Sequence, residues 1–145
     1  MALPTSIRFD DSVSERLASY AARLGTTRAA VAARFVDEGL RMAEHPGIVF
    51  RDGPSGRRAS VAGGPDVWEV IAELRSARSA EPRLSESRLL QLVEESTGVS
   101  GRMLQLAISY WSAYPEEVDT LVEHARRSEE LTRAAADRAR RLLER

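Results

Sequence analysis

SIRFDDSVSERLASYAARLGTTRAAVAARFVDEGLRM, residues 6–42, is the stretch that decides how this chain folds. Together with Leu3, Pro4 and Thr5 its first residues alternate, placing Leu3, Thr5, Ile7 and Phe9 on one face and Pro4, Ser6, Arg8 and Asp10 on the other, the period of a short strand. Asp10 and Ser12 are both suited to cap a helix, and Ser12 with Glu15 has the spacing of a capping box. Val13, Leu17, Tyr20, Ala21 and Leu24 then recur at helical spacing until Gly25, a residue that readily ends a helix. Thr26 or Thr27 can cap a second helix, whose apolar residues are Val31, Phe35, Val36, Leu40 and Met42 and which stops before His45-Pro46-Gly47.

One strand and two helices cannot satisfy themselves. A lone strand leaves amide and carbonyl groups unpaired along both edges, and so short a segment has too thin a core to hold it in place. Pairing with a second copy removes both deficits. The two strands then form an antiparallel ribbon, with Ile7 and Phe9 directed at a core completed by Val31 and Phe35 of the helices, and with Ser6 and Arg8 displayed outward. A ribbon of that width fits the major groove of DNA. Arginine can donate two hydrogen bonds to guanine, so Arg8 is expected to discriminate bases more than Ser6 does. The Thr27 hydroxyl and the free amides of Arg28 and Ala29, at the positive end of the second helix, are placed to hold a backbone phosphate.

Those 37 residues resemble the ribbon-helix-helix family of MetJ, Arc and CopG in the strand, the Gly-x-Thr link between helices and the element lengths. The resemblance implies an obligate homodimer, base contacts from Ser6 and Arg8, and phosphate contact at Thr27 and Arg28. Pro4 departs from the pattern, because it occupies a third outward position where the family often carries a polar residue.

Composition narrows the function further. The chain has 145 residues, no cysteine and a net charge of -1. Hydrophobic residues at 43% and charged residues at 30% suit a folded domain. The absence of cysteine removes disulfides, thiol nucleophiles and thiolate metal sites. No apolar run approaches the roughly 20 residues of a membrane span, and the first residues lack a basic-then-apolar signal pattern, so a cytoplasmic location is expected. All the Lys+Arg total of 21 is arginine, distributed unevenly. Residues 1–43 are slightly basic, 44–124 clearly acidic and 125–145 basic.

In the middle, residues 48–51 and 58–61 read as strands flanking the turn Asp52-Gly53-Pro54-Ser55-Gly56, a hairpin. Arg51, Arg57 and Arg58 cluster near its turn and could reach DNA phosphate. Helices are expected over about 67–78, 85–97 and 100–112, the last two joined by Thr97-Gly98-Val99-Ser100 in the manner of a helix-turn-helix. The last of these offers a groove only Arg102 and Gln105 in an acidic surround, so both auxiliary DNA contact and a protein-binding role stay open. Tyr110, Trp111 and Tyr114 read as core. The segment resembles an antitoxin-associated family called domain of unknown function 433, through HPGI at 45–48, GRR at 56–58, AGGPDVWEVI at 62–71 and YWSAYPEEVD at 110–119. It departs from that family at Gly63-Gly64-Pro65, where Gly-Thr-Arg is usual.

From Pro115 onward one helix is expected, with acids at its start and arginines at its end. Its end reads either as a solvated, fraying helix or as a segment that orders on a partner through Leu131 and Leu142 with Arg133, Arg138 and Arg141. Ribbon-helix-helix antitoxins of the VapB kind, which the chain resembles, cover a PIN-type ribonuclease toxin with their C-terminal part. That resemblance implies a toxin partner whose metal-binding carboxylates meet these arginines.

The expectation is thus a mainly α chain with short β: a ribbon-helix-helix DNA-binding and dimerisation unit over 1–43, a hairpin plus helix-turn-helix, winged-helix-like domain over 44–124, and a helical tail over 125–145. Its expected role is an antitoxin that represses its own operon, the alternative being a plain repressor with no toxin. An enzyme is not expected, nor any cofactor or metal. His45 and His124 stand apart with no HxxxH or HExxH spacing, and the pairs Glu94-Glu95 and Glu116-Glu117 point to different faces of their helices.

Overall fold

A computed structural model describes residues 3–54 and 56–144. The described chain is mainly helical, with one two-stranded antiparallel sheet. It divides into two compact units, the first ending at Glu44 and the second beginning at His45.

The first unit contains α1 (Asp11–Leu24) and α2 (Arg28–Glu44). Of the two candidate caps Asp10 is the one used: its Oδ1 accepts the Val13 amide at 2.9 Å. Gly25 ends α1 in a left-handed conformation, φ 64°, which lets the Thr26 amide turn back to the Ala21 carbonyl at 3.0 Å. The helices meet through Tyr20 and Phe35, whose ring centroids lie 5.2 Å apart, and the Arg34 guanidinium lies over both rings. In front of α1, residues 3–10 have no regular secondary structure and are exposed throughout. A strand exists only through its neighbour, and a single copy of this chain offers none to that segment.

The second unit is built around a hairpin and four helices. Strands β1 (Ile48–Gly53) and β2 (Gly56–Val61) pair in a register that sets Ile48 opposite Val61 and Phe50 opposite Ala59. They extend further toward the turn than expected, and Ser55 lies outside the described residues. Helix α3 (Val67–Ala80), α4 (Glu86–Thr97) and α5 (Gly101–Ala113) follow, then α6 (Pro115–Leu143), which runs unbroken past residue 125. Ser85 and Ser100 cap α4 and α5 by accepting the amides of Arg88 and Met103, and Gly98 ends α4 at φ 73°.

The core of this unit centres on α5. Leu104, Ala107 and Tyr110 are fully buried against Ile48, Val61, Val67, Val70, Ile71, Val93 and Val118. Two aromatics of α5 have acceptors for their polar ends: the Tyr110 hydroxyl donates to Glu117 at 2.7 Å and the Trp111 indole donates to Asp119 at 2.9 Å. Arg75 also donates to Asp119. These two donors, Trp111 first, hold the Asp119 carboxyl below the usual carboxylate range.

Candidate nucleic-acid interface

The residues expected to read bases, Ser6 and Arg8, are both exposed in the irregular run before α1. Their neighbours Ile7 and Phe9 face no core in the single chain: Ile7 is 60% exposed and Phe9 40%. Of the other two core candidates, Val31 is buried, while Phe35 keeps 37% exposure despite its contact with Tyr20. Val13, Leu24, Val36, Leu40 and Met42 are exposed as well. On α2, Val31, Phe35 and Met42 share one stripe. Val36 and Leu40 form another, about a third of a turn away by the 3.6-residue period. One neighbouring helix cannot cover both stripes.

At the start of α2 the Thr27 hydroxyl accepts the Ala30 amide at 3.1 Å, and the Thr27 carbonyl accepts the Val31 amide at 3.2 Å. Thr27 is therefore the cap of the helix. The amides of Arg28 and Ala29, in its first turn, point out of the helix start with no carbonyl of the same helix within reach. A 17-residue helix sets its positive dipole end behind them.

The hairpin arginines have a different setting. Arg58, whose side chain is largely covered, donates from Nε to Asp66. Arg51 donates to the Gly64 carbonyl at 2.6 Å and stands 3.6 Å from Asp66. Arg57 meets Asp52 across the strands at 3.4 Å. Asp66 itself is buried, accepts the Ser60 hydroxyl as well, and sends its own amide to Glu69 Oε2 at 2.9 Å. In this arrangement Arg51 and Arg58 fasten the hairpin to the start of α3, and Arg57 ties the two strands to each other. Sequence reasoning did not single out Asp66, although Asp66-x-x-Glu69 has the spacing of a capping box; what it could not supply was the pairing across eight residues with Arg58.

The tail candidates Leu131, Arg133, Arg138, Arg141 and Leu142 are all exposed, Leu142 at 84%. Proximal to them α6 carries its own ion pairs, Arg126 with Glu123 and Glu130, and Arg127 with Glu123. Chiefly through the Arg126 hydrogen bonds, the Glu123 carboxyl is lowered to about 2.

Comparison with protein-family models, curated proteins and solved structures gives no match. Among the described residues no group of three or more His, Cys, Asp or Glu side chains is placed to hold a metal ion, and no helix is long and apolar enough to cross a membrane. Ser6, Ile7, Arg8 and Phe9 lie in one exposed run without regular secondary structure, and Thr27 and Arg28 lie at one helix start.

Proposed function

We propose that the chain is a dimeric DNA-binding antitoxin in which two copies pair through residues 3–9 as a ribbon over a shared core of α1 and α2, the ribbon-helix-helix arrangement. The observation that supports this most is the first unit's unfinished core. Its buried apolar side chains are Ala21 and Val31, while eight others of valine size or larger, from Ile7 to Met42, remain substantially exposed. Fully covering a side chain of that size is worth about 1.5 to 3 kcal/mol. A second copy supplies that cover and, in the same step, the missing strand neighbour.

In the paired state Ser6 and Arg8 face outward from the ribbon into the major groove, and the Arg28 and Ala29 amides hold a phosphate on either side. The hairpin, α3, α4 and α5 form a winged-helix-like domain whose hairpin arginines are engaged within the fold, so its role lies in protein contacts. The distal part of α6, with Leu131, Leu142, Arg133, Arg138 and Arg141, covers a PIN-type ribonuclease toxin. This works in the cytoplasm, where operator and toxin are both reached.

The test is operator binding by the full chain and by Arg8→Ala. If Arg8 reads a base, the variant loses about 1 to 3 kcal/mol on the operator and its preference relaxes at one position in each half-site. An equal loss on every DNA sequence contradicts base reading. The double change L131D/L142D spares operator binding and abolishes capture of the toxin encoded beside the chain; unchanged capture contradicts the tail as the toxin's site, and no capture by the unaltered chain leaves a plain repressor.

A further inference from the structure

Helix α2 is divided lengthwise into sectors. By the 3.6-residue period Ala29, Ala32, Val36, Gly39, Leu40 and Ala43 fall within about 100° of arc, from one end of the helix to the other, and none of them is buried. Val36 and Leu40 are each more than half exposed. Arg34, Asp37, Glu38, Arg41 and Glu44 lie on the other side by the same period, and Arg28 stands at the helix start. The buried Val31 lies outside the arc as well. α2 therefore carries an uncharged, largely apolar face that its own chain leaves open.

Within that face Gly39 is out of place. A glycine in a helix interior is less favourable than an alanine, because it gives up more backbone freedom on folding. The single chain supplies no reason to accept the cost. Gly39 is in ordinary helical backbone without a positive φ, and a Cβ placed on it finds open space. The missing methyl matters only if something outside the chain comes close.

The face is suited to its own copy. A two-fold contact sets one patch against itself, so any charge in it would meet its like, and this patch has none. The sizes agree. Val36 is the midpoint between Ala29 and Ala43, with the small Ala29 and Ala32 before it and Leu40 after it. In an antiparallel crossing centred on Val36, Leu40 of one copy falls over Ala32 of the other, large upon small. Gly39 lies beside the crossing, where the side chains present set how near the helix axes can come.

We infer that the α2 helices of two copies cross antiparallel over Val36, and that Gly39 is what lets them approach. The inference rests on the ribbon-helix-helix pairing proposed above, and adds which face of α2 closes the shared core and which residue sets its spacing. A methyl at Gly39 then has two effects of opposite sign: it favours the helix of the single chain and holds the two helices of the pair apart.

Sedimentation of the full chain over a range of concentrations reads the dimer dissociation constant of the unaltered protein, of Gly39→Ala and of Phe9→Asp. Gly39→Ala should raise that constant about tenfold, while helical ellipticity at the lowest concentration stays the same or rises. A constant that is unchanged or lower overturns the inference. If Phe9→Asp abolishes association in the same series, the ribbon pairing survives that result. An unaltered chain that never associates overturns both. The crossing point is read separately. The chain contains no cysteine, so V36C offers one thiol per copy. Under mild oxidation at micromolar concentration it should form the disulfide between copies at several times the yield of S112C, an exposed position of α5. A yield no better than that control overturns the crossing even where the dimer forms.

Discussion

The two units of this chain handle their apolar residues in opposite ways. In the second, Leu104, Ala107 and Tyr110 of α5 are sealed by strands and helices of the same chain, and even the polar ends of Tyr110 and Trp111 are satisfied within it. In the first, α2 is apolar along two stripes and α1 covers only part of them, while Ile7 and Phe9 project from a segment with no regular structure. A unit with a closed core is stable by itself, whereas one with an open core carries its instructions for assembly on its surface. The difference teaches where to look for partners.

Replacements in the two cores should separate the units most sharply. Leu104→Ala empties the centre of the second unit and should cost about 2 to 5 kcal/mol, read as a lower denaturation midpoint for that unit. Phe9→Asp should leave that midpoint where it is and instead remove the concentration dependence of the first unit's melting, because a paired core melts later as protein concentration rises. Equal effects of both changes on one common transition would erase the distinction between the units.

A smaller effect is expected at the hairpin. Asp66→Ala leaves the Arg58 guanidinium and the Ser60 hydroxyl without their acceptor in a mostly covered place, at a cost of about 2 to 3 kcal/mol to the second unit. If the arginines instead serve DNA, the same change frees them, and operator binding strengthens with little loss of stability.

The smallest effect concerns α6 and pH. The Glu123 carboxyl is lowered to about 2 from the usual 4.5 by its hydrogen bonds to Arg126 and Arg127. A carboxyl lowered on folding contributes stability that is complete above its unfolded value and is lost as pH falls through its folded value. Helical ellipticity from α6 should therefore hold from pH 7 through 4.5 and decline only toward pH 2. Glu123→Gln should remove that late decline while leaving the acid behaviour of the rest of the chain in place.

Much of the helical architecture was legible because its signals are local. Asp10, Ser85 and Ser100 sit three residues before the amides they accept, and Gly25 and Gly98 stop their helices by their own backbone angles. The mainly α fold with one short hairpin follows from such signals, as does the burial of Tyr110. The Asp66 cluster was not legible, since it joins residues of β1, β2 and the cap of α3 that only the folded register brings together. Nor could spacing alone tell that the hairpin arginines would be engaged by Asp52, Gly64 and Asp66. At the candidate interface, the alternation of residues 3–9 was plain, but the single chain pairs that segment with no strand.

The most direct test is amide hydrogen exchange over residues 5–9 of the full chain at micromolar concentration. Pairing of this segment with its copy predicts slowed exchange at alternate amides between Thr5 and Phe9, with protection that rises with protein concentration. Exchange of all these amides at the rate of an unstructured peptide, at every concentration, would contradict the account.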